Sequence, residues 1–180
     1  MTALKKGFTL IELLIVIAIL GVLAVVILVA INPQEQLQRT RDAGIISSVT
    51  QLGHAMQAYA TSHEGEYMDD TLTANCATSA DWANCLVDSG EVSIVPDDLT
   101  QAAQTPCAAS EINGYCYTVL AGLTNGLVYA KLHSGSNTQK CSAAAATTAY
   151  AGFDSSQGRG GIFCEDPGNE PFAAGVITFE

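Results

Sequence analysis

Residues Leu13 to Ile31 read LLIVIAILGVLAVVILVAI, an unbroken apolar run with no charged side chain. As a helix rising about 1.5 Å per residue, such a run just spans the ~30 Å hydrocarbon core of a bilayer. No other stretch of the chain approaches it, so the expected topology is a single membrane crossing. The run also accounts for an odd composition. Mean hydropathy is +0.25, although 18 Asp+Glu stand against 7 Lys+Arg for a net charge of -11. The apolar content excludes a disordered acidic tail. So few cations argue against direct nucleic-acid binding through a basic face.

The flanks set the orientation. Lys5 and Lys6 precede the run, which places the N-terminus on the cytoplasmic side and exports the rest of the chain. Cys76, Cys85, Cys107, Cys116, Cys141 and Cys164 all lie after the run. An even set of cysteines confined to an exported part reads as disulfides in an oxidising compartment. An ordinary secretory signal is disfavoured because its apolar core is usually about 7–15 residues. Leu28-Val29-Ala30 is also a poor small-x-small cleavage site, and Glu12 heads the run. A plain anchor holding an enzyme or binding module outside the membrane would explain the run but leave Glu12 unexplained.

A carboxylate in a membrane segment costs about 2.5–3.5 kcal/mol and calls for a partner. No Lys, Arg or His follows Glu12 within the span. A cut after Gly7 would create an amine on Phe8, four residues before Glu12. Supplied by a neighbouring copy, that amine would pair with Glu12 only on assembly. It would then set the axial register of one helix against the next, as a buried polar residue does in a coiled coil.

The stretch KKGFTLIELLIVIAILGVLA, Lys5 to Ala24, resembles the N-terminal signature of type IV pilins and pseudopilins. The likeness covers roughly residues 5–62; beyond that only the layout is shared. It implies that Gly7 precedes a prepilin-peptidase cut and that Phe8 becomes an N-methylated first residue. Glu12 then matches the glutamate needed for methylation and for docking into a growing filament. It further implies a helix kept after cleavage, first as a membrane anchor and then as filament core. The implied partners are further copies of the chain, a prepilin peptidase, a platform membrane protein and a cytoplasmic assembly ATPase. The implied location is the cytoplasmic membrane for the precursor and an extracellular filament after assembly. A pseudopilin of a secretion or competence system is the alternative within the same resemblance.

The expected fold is α+β. A long N-terminal helix, part transmembrane and part amphipathic, packs on a small antiparallel sheet stapled by disulfides. The expected divisions are a leader at 1–7, a membrane or filament-core helix at 8–31, an amphipathic half at 32–62 and a globular head at 63–180. Asn32-Pro33 either kinks one continuous helix or starts a second one capped by Asn32, and the kinked continuous helix is preferred because a helical pattern resumes at once. Beyond it Leu37, Ile45, Val49, Leu52, Met56 and Tyr59 form an apolar stripe, while Glu35, Arg39, Arg41 and Asp42 occupy a solvated side. Residues 63–113 read as loop, with a short helix near Asp97 to Gln104. Tyr115–Leu120 and Leu127–Leu132 read as a hairpin turning at Thr124-Asn125-Gly126. Further strands are expected at Gly161–Cys164 and Gly175–Phe179, and small-residue loops at Ser142–Gly152 and Ser155–Gly161. Six cysteines allow fifteen connectivities. Sequential pairing, Cys76–Cys85, Cys107–Cys116 and Cys141–Cys164, is preferred because each loop is short enough to close at small entropic cost.

The chemistry of an enzyme is not apparent. His54, His63 and His133 show no metal-ligand spacing, and there is no CxxC, GxSxG or P-loop. Asp97-Asp98 reads as a helix cap rather than a calcium loop, and Arg159 as part of a solvated glycine-rich loop. The expectation is a structural subunit with no catalytic residue, metal or cofactor. Loss of Lys5 and Lys6 with the leader would take its side-chain charge from -11 to -13.

Overall fold

The computed structural model describes residues 7–69, 76, 79, 81–96, 99, 111–141, 148–166, 168, 172 and 175–180. The chain divides into two compact units, Met1–Leu37 and Gln38–Glu180.

In the first unit, helix α1 runs Leu10–Ile31 and none of its residues is buried. It is long and apolar enough to cross a membrane. It ends at Asn32, whose φ of 45° and ψ of 73° are left-handed. Helix α2, Pro33–Ser62, begins at the next residue. This corrects the expectation of one continuous kinked helix. A proline disfavours the right-handed helical conformation in the residue before it, and asparagine tolerates the left-handed one at little cost. Pro33 then suits the first helical position, where a missing N–H is not felt. The Asn32 carbonyl still accepts from Gln36 N–H at 3.4 Å, so it opens the second helix as it closes the first.

In the second unit, α2 presents Ile45, Val49, Leu52, Met56 and Tyr59 as a buried stripe, as its spacing implies. Leu37, counted in that stripe from sequence, is exposed. The stripe packs on a five-stranded antiparallel meander in the order β1-β2-β3-β4-β5. The strands are β1 Glu111–Ile112, β2 Tyr115–Val119, β3 Gly126–Lys131, β4 Thr148–Asp154 and β5 Arg159–Glu165. The expected hairpin is β2–β3, in register Cys116↔Tyr129 and Val119↔Gly126, but its turn is not at Thr124-Asn125-Gly126: Gly126 already opens β3, and the chain reverses at Gly122 and Leu123, whose φ of 85° and 55° are left-handed. Alternation along the strands divides the core in two. Tyr117, Val128, Ala130, Ala149, Ala151 and Phe153 join the α2 side. Leu127, Tyr129, Tyr150 and Phe163 join Phe172 and Ile177 in a second cluster.

Several loop expectations are overturned. Ser142–Gly152 reads as an exposed small-residue loop, yet residues 148–152 belong to β4, which is nearly all buried between β3 and β5. The small side chains there serve close approach. On the facing helix, a Cβ at Gly53 would overlap the Phe153 ring. The Ser155–Gly161 loop shrinks to a turn, because Arg159 already opens β5. Gly175–Phe179 is no full strand: it makes a single bridge, Phe163↔Phe179. Its neighbour Glu180 N–H donates to Ile162 O at 2.8 Å.

Two short helices are not foreseen from sequence, α3 at Trp82–Asp88 and α4 at Gly135–Lys140. Asp81 caps α3, its Oδ1 accepting from Asn84 N–H at 2.7 Å. The helix expected near Asp97 to Gln104, and the Asp97-Asp98 pair, lie outside the described residues except for Leu99. Two of the preferred disulfides are present, Cys76–Cys85 and Cys141–Cys164. Cys116 is also disulfide-bonded, while Cys107 lies outside the described residues.

Asp42 is the clearest departure. Expected on the solvated side of α2, it is only 1 % exposed. Its carboxylate accepts from His133 N–H and Ser134 N–H at 2.9 Å each, from Ser134 Oγ–H at 2.6 Å and from Asn137 Nδ2–H at 2.8 Å. Four donors replace the water it gives up, which makes a buried carboxylate tolerable.

Candidate functional site at the head of the apolar helix

Gly7 and Phe8 precede the first turn of α1 in non-helical backbone, and both are exposed. A Cβ built on Gly7 would meet nothing within 4 Å. The helix starts at Thr9, an N-cap with extended backbone at φ -84° and ψ 149°. Thr9 Oγ1 accepts from Glu12 N–H at 3.3 Å. Glu12 Oε2 in return accepts from Thr9 N–H at 2.9 Å and from Thr9 Oγ1–H at 2.6 Å. This is a reciprocal capping box, which satisfies two donors that a helix N-terminus otherwise leaves open. The negative side chain also sits at the positive end of the helix dipole.

Glu12 therefore has local partners that a search for a counter-charge overlooks. The signal is present in the sequence as Thr9-Leu10-Ile11-Glu12, the S/T-x-x-E pattern ahead of an apolar run. The partners are dipolar, however. Among the described residues no cation pairs with this carboxylate, so its charge remains available to one.

Elsewhere, His133, Tyr59, His54 and His63 take part in the head's own packing. Burial pushes the His133 imidazole below its ordinary value; Asp42 opposes this and Lys131 reinforces it. Burial, with Glu66 nearby, raises the Tyr59 phenol. His54 lies edge-on to Phe153, and His63 stacks on Tyr59 with ring centroids 3.8 Å apart. The described residues hold no group of three His, Cys, Asp or Glu placed to bind a metal ion. Arg159, expected in a solvated loop, sits at the start of β5 with its guanidinium 5.0 Å from the centre of the Phe179 ring.

Residues 3–28 match the family described as "Prokaryotic N-terminal methylation motif", and the Thr9–Glu12 box lies inside that match. The class defined is thus a chain carrying this methylation motif at the head of an apolar helix. Among curated proteins, the chain is similar to a fimbrial protein of Neisseria meningitidis serogroup A, 40% identical over 92 residues, 51% of this chain and 52% of that one. It is also similar to a fimbrial protein of Neisseria meningitidis serogroup B, 38% identical over 92 residues, with the same shares covered. The chain thus spans about half the length of the curated relatives it matches. No solved structure shows a significant likeness to it.

Proposed function

We propose that this chain is the structural subunit of a type IV pilus-like filament, cut after Gly7 and polymerised through α1. The observation that carries this is a helix without one buried residue, headed by a box-held carboxylate within the methylation motif. The similarity to fimbrial proteins supports a structural rather than a catalytic role.

In this reading residues 1–7 are the leader and 8–31 the anchor, then the filament core. Residues 32–62 are the amphipathic half, and 63–180 the exported head. Lys5 and Lys6 hold the leader at the cytoplasmic face, where a prepilin peptidase meets the exposed Gly7-Phe8 bond. Cleavage makes Phe8 the first residue and converts its amide into an amine, which becomes methylated. The amine of an incoming copy pairs with Glu12 of the copy before it. Glu12 keeps its capping bonds and gains a cation, which reduces the cost of burying it among helices. Lipid contacts along α1 are exchanged for protein contacts, so leaving the bilayer exposes little apolar surface to water. A platform membrane protein and a cytoplasmic ATPase would drive that exchange.

N-terminal analysis of the exported protein tests the reading. A first residue of N-methylated Phe8 is expected. A chain beginning at Met1, or after Ala30, would sink it. Electron microscopy of the cell surface should then show fibres that contain the protein.

A further inference from the structure

Asp154, the last residue of β4, is completely buried. Its two carboxylate oxygens have separate partners. Oδ1 accepts from Ser156 N–H at 2.8 Å and from Ser156 Oγ–H at 2.7 Å, which shapes the turn into β5. Oδ2 accepts from Gly175 N–H at 2.7 Å, 21 residues further along the chain. Gln157 Nε2 donates to the same oxygen at 3.3 Å and to Ile177 O at 2.9 Å. Gln157 Oε1 accepts from Arg159 Nε at 3.4 Å, and the Arg159 guanidinium lies over the Phe179 ring. The β4–β5 turn thus holds the chain end at three alternate residues, Gly175, Ile177 and Phe179.

Strand β5 is the last in the sheet order. One side of it pairs with β4. Its outer side carries the chain end, through the bridge Phe163↔Phe179 and through Glu180 N–H, which donates to Ile162 O at 2.8 Å. One bridge is a weak hold for six residues that give up their conformational freedom to lie there. The bonds at Asp154 and Gln157 add to it, and a hydrogen bond to a carboxylate is among the stronger kinds.

We propose that residues 175–180 are a strap that guards the β5 edge against pairing with a second copy of the chain, and that Asp154 is its latch. A bare strand edge is a template for another strand, and the edge of an identical copy fits it about a two-fold axis. Gly175 lets the strap start tightly over the turn. Its φ is 79°, and a Cβ there would press on Ser156 Oγ at 3.3 Å. Ile177 then packs inward with Phe163 in the second core cluster, while Val176 stays exposed. The guard goes beyond the filament reading and does not depend on it, since it keeps heads apart whether or not α1 polymerises.

The test uses the full chain in detergent micelles. Asp154→Asn leaves one acceptor oxygen where two stood, so the turn and the strap can no longer both be held. Gln157→Glu, at an exposed position, removes the donor to Ile177 O and sets a like charge beside Asp154. Amide hydrogen exchange is read at Glu180, whose N–H bonds Ile162 O, and at Leu132, whose N–H bonds Ala149 O. Each variant should speed exchange at Glu180 about tenfold or more and leave Leu132 within about twofold of the parent. Faster exchange at Gly175 with Glu180 unchanged would make Asp154 a residue of the turn alone and overturn the latch. Equal acceleration at Leu132 would show that the strap is no separate unit, which overturns it as well. Light scattering on the same samples reads the guard. At equal protein concentration the unlatched variants should show about twice the protein mass of the parent. Equal masses with an opened strap would overturn the guarding role.

Discussion

Helices α1 and α2 adjoin at Asn32-Pro33 yet solve opposite problems. Every described side chain of α1 is exposed, and its apolar residues cover the whole circumference. In α2 the apolar stripe from Ile45 to Tyr59 is buried against the head's own sheet. An all-round apolar helix has no use for a single partner surface and needs surroundings such as lipid or other helices. An amphipathic helix is satisfied by one sheet. The head can therefore complete its core within one chain, whereas α1 depends on something outside it.

Breaking the α1 side should give the largest effect. Glu12→Val is expected to leave membrane insertion and head oxidation intact while abolishing filaments, as seen by electron microscopy together with membrane fractionation. Filaments of parental length would show that register does not depend on this carboxylate. The α2 side should respond in stability rather than assembly. Asp42→Ala leaves the His133 and Ser134 N–H groups, the Ser134 hydroxyl and the Asn137 amide without their acceptor. A loss of about 3 kcal/mol is expected in denaturant unfolding of the head. A loss below about 0.5 kcal/mol would mean that water replaces the carboxylate.

Gly53→Ala sets two effects against each other. Alanine gains up to about 1 kcal/mol of helix propensity. Its Cβ, however, overlaps a Phe153 ring that is itself 1 % exposed and has no open space to enter. Overpacking of about 1–3 kcal/mol should win, giving a lower unfolding midpoint. A stabilised variant would show that α2 can lift from β4.

The smallest effect is a pH dependence. His133 is depressed in the folded head, so the unfolded chain takes up its proton more readily. Its contribution is fully present above the ordinary imidazole value of about 6.5 and is lost as pH falls through the lower folded value. His133→Asn should flatten the slope of stability below about pH 6.5 relative to the parent. Equal slopes would assign the pH dependence to carboxylates.

Legibility from sequence tracks the kind of signal each element carries. The β2–β3 hairpin is readable because β-branched and aromatic residues fill both strands; its turn is misplaced, because Asn125-Gly126 resembles a tight turn while the chain reverses at Gly122 and Leu123. Strand β4 escapes because its composition is ambiguous. Ala149, Ala151 and Gly152 are small so that α2 on one side and Phe163 on the other can approach, and small residues resemble a loop when no neighbour is known. Helices α3 and α4 are too short for any periodicity to accumulate. Asp42 looks like one more charge beside Arg39 and Arg41, because its four donors come from about ninety residues further along the chain. At the candidate site, Gly7, Phe8 and Glu12 stand out at once. Thr9 is easily passed over, because an intramembrane carboxylate directs attention to cations, whereas its partners here are a hydroxyl and an amide.

The sequence by itself determined the features that arise from neighbours along the chain: the apolar span, the T-x-x-E head, the stripe of α2 and the two strands of the hairpin. Their energies come from side chains within a few residues of one another, or from the plain cost of apolar surface in water. Only the tertiary structure decided which small residues form the inner strand, that Asp42 turns inward, and that Asp154 fastens the chain end to the β4–β5 turn. Those outcomes depend on which distant surfaces meet, and no local preference encodes that.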